Sequence, residues 1–275
     1  MPELPEVETV RRGLAPHLSA CKVRAVVARV PALRWPIPSE LATLISGAAL
    51  QGLSRRGKYL LFEFPAGWLI VHLGMSGSLR WVDCEEPVRK HDHFDLVLDH
   101  GIVRLHDPRR FGAVLWHARA AGPVAHHALF AGLGLEPLET STALLAKRLF
   151  EGTRGRHRSI KAVLLAGELI VGAGNIYACE SLHRARIHPA SRAGRLSSVR
   201  CQRLVVALQE TLEEALRRGG SSLRDFVGSD GVNGHYQHEA LVYDREGLAC
   251  RRCAGTVRRI VQQQRSTYYC PGCQH

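Results

Sequence analysis

Long apolar runs are missing from this sequence. Nowhere does it approach the ~18 consecutive apolar residues of a membrane span, and its first residues lack the basic-then-apolar order of a secretory signal. We therefore expect a soluble, cytoplasmic protein with no membrane partner. Lysine is scarce: five lysines stand against 32 arginines. Genome composition can produce that ratio, but it also suits the bidentate phosphate and guanine contacts of a guanidinium, and it makes each lysine conspicuous. Acidic residues disappear altogether from position 249 onward. No internal repeat is visible, which argues against a solenoid or propeller.

What is present suits a globular protein. The 275 residues, 45% of them hydrophobic, suffice for the core of one large domain or two ordinary ones. The net charge of +12 points to a polyanionic partner, nucleic acid or membrane surface. It is uneven, +4 over residues 1–135 and +8 over residues 136–275. Of eight cysteines, Cys21, Cys84, Cys179 and Cys201 are scattered and have no assignable role beyond packing, while four fall in the last 26 residues. Such clustering argues for a metal rather than disulfides.

Hydrophobic periodicity divides the chain. Leu4, Val7, Val10, Leu14 and Leu18 form a helical stripe interrupted by Pro16. The segments KVRAVVARV, KYLLFEF, WLIVHL, SLRWV, HFDLVLD, IVRLHD and GAVLWH are then short and rich in β-branched and aromatic residues, as in an antiparallel sandwich or barrel. After AGLGLEPLE at 131–139, a candidate hinge, the pattern turns helical, and SVRCQRLVVALQETLEEALRRGG ends on the basic, glycine-closed stop of a helix. A third section begins near residue 235. We expect an α+β multidomain chain divided as 1–135, 136–234 and 235–275.

Several constellations carry candidate chemistry. Cys250 and Cys253, then sixteen residues, then Cys270 and Cys273 match a closed tetrahedral zinc site. So small a segment cannot bury a core, so one structural Zn2+ must supply its folding energy; with Arg251, Arg252, Arg258, Arg259 and Arg265 and no acid, the product is a rigid basic finger. GLSRRGKY at 52–59 nearly spells a phosphate loop, but Tyr59 replaces the serine or threonine and a strand follows, which leaves Lys58 as a lone lysine, flanked by Arg55 and Arg56, at the start of a strand. VGAGNIY at 171–177 lacks a third glycine, so Asn175 lies either at a phosphate-approaching helix start or on a plain helix turn. His91 and His93 have no third metal ligand at recognisable spacing and read as basic surface. HDPRRFG places Arg109, Arg110 and Phe111 on a turn between strands, with Phe111 either a wedge for base stacks or core. At the start, PELPEVETV is compatible with an ordinary helix entry.

Taken together, PELPEVETVRRGL, KYLL, HLGMSGSLR, KHDHFDL, DPRRFGA, GAGNIYACESL and the cysteine tail with QRSTYYC resemble, in order and spacing and over essentially the whole chain, the bacterial formamidopyrimidine-DNA glycosylases. The resemblance implies an N-terminal β-sandwich with flanking helices, a helix–two-turn–helix domain and a C-terminal β-hairpin zinc finger, with damaged double-stranded DNA lying across the cleft between them. It implies a monomer that removes oxidised purines and cleaves the abasic strand. Carried over residue by residue, Pro2 is the nucleophile, Glu3 the catalytic acid, Lys58 a catalytic and phosphate-binding lysine, and Arg265 the finger's phosphate-binding arginine. His91, Arg109, Arg156 and Asn175 join Lys58 and Arg265 in gripping phosphates around the kink; Arg109 also faces the orphaned base, and Met75 and Phe111 help fill the gap left by the flipped nucleotide. Arg156 stands where the family often has lysine. Leu4 favours the purine branch over the endonuclease VIII-like relatives, which act on oxidised pyrimidines and typically begin Pro-Glu-Gly-Pro. Residues 224–236 resemble the loop that closes over 8-oxoguanine. A non-catalytic zinc-finger protein that binds nucleic acid is the third reading, and it has no need of a terminal secondary amine.

Overall fold

The computed structural model describes residues 2–220 and 239–275. Met1 and the loop expected at 224–236 lie outside the described residues. The chain divides into two compact units, the first running through Ala131 and the second starting at Gly132 and including the cysteine-rich tail.

The first unit opens with α1 (Leu4–Leu14), whose Leu4, Val7, Val10 and Leu14 are all buried. Pro5 sits in the first turn, where its missing N–H leaves no bond unmade, and Arg11 and Arg12 face the negative end of the helix dipole. Pro16 falls in a single 3₁₀ turn that ends the helix. There follow β1 (Val23–Ala28), the short α2 (Leu41–Ile45), β2 (Gly52–Arg56), β3 (Tyr59–Phe64), β4 (Gly67–His72), β5 (Ser78–Val82), β6 (Asp92–Leu98), β7 (Ile102–His106) and β8 (Ala113–Ala118). They form two four-stranded antiparallel sheets, in the orders β1-β6-β7-β5 and β2-β3-β4-β8.

Alternation along the strands builds one core between them. Leu60, Phe62 and Phe64 of β3, Leu69 and Val71 of β4, Phe94, Leu96 and Leu98 of β6, and Val103 and Leu105 of β7 join the apolar stripe of α1 in a single cluster. This is the expected sandwich. Strand β2 was not expected: its sequence GLSRR has no apolar alternation, yet it pairs along its whole length with β3. The β2–β3 connection is a two-residue turn, Gly57-Lys58, with Gly57 at φ +57°. A left-handed glycine at the first central position is what such a hairpin requires.

The second unit carries α3 (Thr142–Thr153), α4 (Ile160–Ala166), α5 (Asn175–Arg184) and α6 (Ser198–Arg217), then the hairpin β9 (Arg258–Gln262) and β10 (Arg265–Tyr269). Ser141, Ser159 and Ser197 cap α3, α4 and α6 by accepting backbone N–H groups of Leu144, Ala162 and Arg200. α6 packs on α3 and α5, and α5 in turn packs on β10, so the finger belongs with the helices. Among the described residues no helix is long and apolar enough to cross a membrane.

Phe62 is 1% exposed within the sandwich core. Phe62→Ala should cost about 3–5 kcal/mol through lost burial and the cavity left behind, read as a lower urea midpoint at unchanged slope; a loss below about 1 kcal/mol would show that this core can collapse around the gap.

Candidate functional site

Strand register decides which loops of the first unit meet. Tyr59 pairs with His72 and His72 with Ala113, so the Gly57-Lys58 turn and the loops flanking His72 and Ala113 leave one end of the β2-β3-β4-β8 sheet. In the other sheet Ser78, His106 and Asp92 pair in a row, which brings His91 and Asp107 to an end as well. Residues 73–77 and 107–112 cross between the sheets there, so it is the same end of the sandwich. Lys58, Met75, His91, Arg109 and Phe111 therefore share it, although 53 residues of sequence separate the first from the last.

The two crossing loops are packed backbone to backbone. Gly74 has φ +67°, and a Cβ there would lie 2.4 Å from Phe111 C and Gly112 N, so only glycine fits. Asp107 accepts the Gly112 N–H at 2.7 Å and is fully buried. Burial pushes its carboxyl above the usual aspartate range, against the backbone N–H groups of Gly112, Arg109 and Arg110, which favour the charged form. Arg110 is held at φ +55° and His91 at φ +73°; such strain in residues other than glycine gathers where surrounding structure dictates the backbone. On this braced loop Phe111 is 43% exposed, the Arg109 guanidinium lies 4.8 Å from its ring centroid, and Met75 is 42% exposed. Exposed apolar side chains beside cations at one loop cluster suit insertion into a stack of bases.

The N-terminus is built into the same unit. Pro2 is buried, and Glu3, 2% exposed, is the N-cap of α1. Glu3 donates its backbone N–H to Glu6 Oε2 at 2.7 Å, and the Glu3 side chain accepts the Glu6 N–H in return, a capping box. One turn on, Glu8 binds Arg11 and Arg12 at 2.8 Å and Arg55 at 3.1 Å. Arg55 also donates to Gly57 O at 3.0 Å, so one carboxylate ties α1 to the turn that carries Lys58. Burial pushes the Glu8 carboxyl up, but the Arg11 and Arg12 hydrogen bonds and the Arg55 charge bring it down to about 2. Burial, with the charges of Lys58 and Arg34, holds His72 down to about 4, so a neutral imidazole stands near Lys58 at neutral pH.

In the second unit Asn175 opens α5, donates to Ser266 O at 2.8 Å and accepts from Lys161 Nζ at 2.6 Å. Lys161, 1% exposed, also reaches Thr267 Oγ1 at 2.6 Å. This places Asn175 beside strand β10, whose first residue, Arg265, is exposed just after a Gln263-Gln264 turn with both residues at positive φ. Arg156, by contrast, is ion-paired with Glu168 at 2.7 Å. Sequence reasoning missed Arg55, Glu8, His72 and Lys161; a lysine inside the apolar run IKAVLLA of a lysine-poor chain was the one available signal.

The cysteines converge as their spacing predicts. All four sulfurs lie within 4.8 Å of one another, with Cys253–Cys270 at 3.5 Å and Cys250–Cys273 at 3.9 Å. A tetrahedron of ~2.3 Å zinc–sulfur bonds has edges of about 3.8 Å, so the donor set fits one Zn2+ held by Cys250, Cys253, Cys270 and Cys273. Four thiolates close the shell and give the ion a structural role. Glu180, fully buried, accepts the N–H groups of Leu241, Val242 and Tyr243 at 2.8–2.9 Å and so seats the segment leading into the finger on α5.

A β-sandwich that opens on a helix N-capped by Glu3 is followed by a helical unit bearing a four-cysteine hairpin suited to structural zinc. Three family models match in succession: "Formamidopyrimidine-DNA glycosylase N-terminal domain" over residues 1–114, "Formamidopyrimidine-DNA glycosylase H2TH domain" over 133–227, and "Zinc finger found in FPG and IleRS" over 247–275. Formamidopyrimidine-DNA glycosylases of Paraburkholderia phytofirmans and Burkholderia thailandensis are 55% and 54% identical to it, with all of each chain covered. Among solved structures, the MutM (Fpg) protein of Thermus thermophilus is 41% identical with a TM-score of 0.87, covering 99% of this chain and 98% of that one. Lactococcus lactis Fpg in complex with abasic-site DNA is 34% identical with a TM-score of 0.90, covering 99% of both chains. The chain belongs to the formamidopyrimidine-DNA glycosylase family.

The Glu8 and cysteine clusters can each be tested by substitution. Because the Glu8 pKa lies below its ordinary 4.5, its contribution to stability is full above pH 4.5 and fades as pH falls towards 2. Glu8→Gln should lose roughly 3 kcal/mol at pH 7 and flatten the acid limb of the stability curve; an unchanged limb would remove Glu8 as its source. Cys270→Ser should lower bound zinc from one ion per chain, measured by elemental analysis, and a full ion in the variant would refute the four-thiolate site.

Proposed function

We propose that this chain is a bifunctional base-excision repair enzyme that removes oxidised purines from double-stranded DNA and then cuts the abasic strand, with Pro2 as nucleophile. The observation that carries this reading is the capped, buried Pro2-Glu3 start of α1, braced through Glu8 and Arg55 to the turn bearing Lys58. A non-catalytic binder has no use for a terminal secondary amine held in this way. The three parts 1–135, 136–234 and 235–275 then serve as catalytic, helical DNA-binding and finger domains.

The chemistry follows from the amine. An α-amino group titrates near ~8, against ~10.4 for lysine, so a useful fraction is unprotonated at neutral pH. Removal of Met1 exposes it. Attack of the Pro2 nitrogen on the sugar C1′ forms a C–N bond as the damaged base leaves with its bonding electrons and a proton. Glu3 protonates the opening ring oxygen. The resulting iminium draws electrons from C2′, whose proton is then lost, and successive β- and δ-eliminations release the phosphates on both sides. Lys58 binds phosphate and assists the chemistry. The target nucleotide is extruded from the duplex; Met75, Arg109 and Phe111 occupy the gap, while Lys58, His91, Arg109, Arg156, Asn175 and Arg265 grip the backbone around the kink. These contacts position the DNA rather than read its sequence. For Arg156 this entails exchanging Glu168 for phosphate. The enzyme works as a monomer in the cytoplasm, held at the nucleoid by DNA. Bound zinc contributes the rigidity of the finger, and no step passes through it.

A second reading, action on oxidised pyrimidines, draws support from Lactococcus lactis Fpg, which has been solved with oxidised-pyrimidine DNA. Borohydride trapping separates the two. A covalent adduct on 8-oxoguanine duplex, mapped by mass to Pro2 with Met1 absent, is the expected result; adducts only with an oxidised pyrimidine would favour the second reading, and none with either despite tight binding would sink both. Pro2→Gly should lose most of the trapping, and full retention would overturn the iminium. Arg265→Ala should weaken binding and reduce the salt slope by about one; an unchanged slope would remove Arg265 from the phosphate contacts.

A further inference from the structure

Cys250 is set apart from the other three cysteines by what surrounds its sulfur. It accepts the Arg252 backbone N–H at 3.4 Å, as the first residue of a knuckle does, and a side chain from outside the finger also reaches it: His183 of α5, with Nε2 3.4 Å from Cys250 Sγ. Both residues are buried, His183 at 1% and Cys250 at 3% exposure, and Cys250 lies in an apolar cluster with Cys179, Val242 and Val257. His183 Nδ1 has no hydrogen-bond partner among the described residues.

These facts choose the tautomer. A zinc-bound cysteine is a thiolate and can only accept. With hydrogen on Nε2 the contact is an N–H···S bond, and the lone pair left on Nδ1 is the only unmet group. With hydrogen on Nδ1, a buried donor goes unpaired and a nitrogen lone pair faces a negative sulfur, which is worse on both counts. A four-thiolate zinc centre carries a net double negative charge, costly among apolar side chains unless N–H groups disperse it.

We propose that His183 is a positioning residue of the zinc site: it donates its Nε2 hydrogen to the Cys250 thiolate, disperses the centre's charge and fastens the finger to α5. The proposal rests on the four-cysteine zinc reading. His183 then joins Asn175, which holds Ser266 of β10, and Glu180, which holds the backbone of residues 241–243, in fastening the tail to α5, and of these three it alone acts through a metal ligand. The bond lowers the nucleophilicity of Cys250, and attack on the site begins at the exposed Cys253.

The test reads the sulfur rather than activity. In the cobalt-substituted full-length protein, His183→Phe should move the sulfur-to-metal charge-transfer band to lower energy. With zinc bound, it should speed metal release under a thiol reagent about tenfold, the loss of one charge-assisted hydrogen bond. His183→Gln, whose amide N–H reaches the same sulfur, should return both readings towards those of the parent. A folded, fully loaded His183→Phe protein with the parent's band and release rate would overturn the proposal. In the unsubstituted protein loaded with NMR-active cadmium, isotope-labelled histidine should show Nε2 protonation and coupling of that hydrogen to the metal. Protonation at Nδ1 would also overturn it, while failure of the protein to take up any metal would overturn the zinc site beneath it.

Discussion

A charge taken out of water must be given a partner, and both units are organised around the few charges this chain buries. Arg104 and Asp95 form a double hydrogen bond across β6 and β7, each nitrogen–oxygen distance 2.9 Å and both side chains almost fully covered, on the face of the sheet opposite the apolar core. Glu8 and Arg55 join the first helix to the β2–β3 hairpin. In the second unit Lys161 is enclosed by Asn175 and Thr267, and Glu180 by three backbone N–H groups. Removing one member of any of these sets leaves an uncompensated buried charge, a heavier loss than that of a surface ion pair. The sets at Glu8, Lys161 and Glu180 each end beside a residue proposed for DNA contact or the chemistry, or beside the finger, so the price of burial is also what gives those residues fixed positions.

The finger shows why this matters. Its hairpin has little apolar volume of its own, and β9 is exposed over most of its length. Zinc supplies local folding energy, but a metal knuckle alone does not determine where the hairpin sits. Helix α5 does, by presenting Asn175, Cys179, Glu180 and His183 to successive parts of the tail. Arg265 is thereby carried on a strand anchored at Ser266 and Thr267 rather than on a free loop.

In the first unit the same end is served by sheet register instead of metal. Antiparallel pairing brings the Lys58 turn, the Met75 loop and the Arg109–Phe111 loop together, and the glycine contact between Gly74 and the backbone at Phe111 and Gly112 keeps them close. Apolar tips on stiff loops suit the gap-filling role proposed for Met75 and Phe111, because a side chain ordered beforehand loses less entropy on insertion.

Much of this was legible in the sequence, for local reasons. Helices announce themselves by period, as with Leu4, Val7, Val10 and Leu14; strands by alternation, as with Leu60, Phe62 and Phe64; and a metal knuckle by two cysteines three positions apart, because each of these rules acts over a few residues. The order of the motifs carried the family. Strand β2 escaped because a strand without alternation is made only by its partner. Arg55, Lys161 and His183 escaped because what gives them meaning lies 47, 106 and 67 residues away, at Glu8, Thr267 and Cys250. The sequence by itself determined the periodic helices, the alternating strands and the zinc ligands. Only the tertiary structure decided which charges are buried and what holds them, since burial and pairing depend on chain segments that meet through folding and on no local pattern.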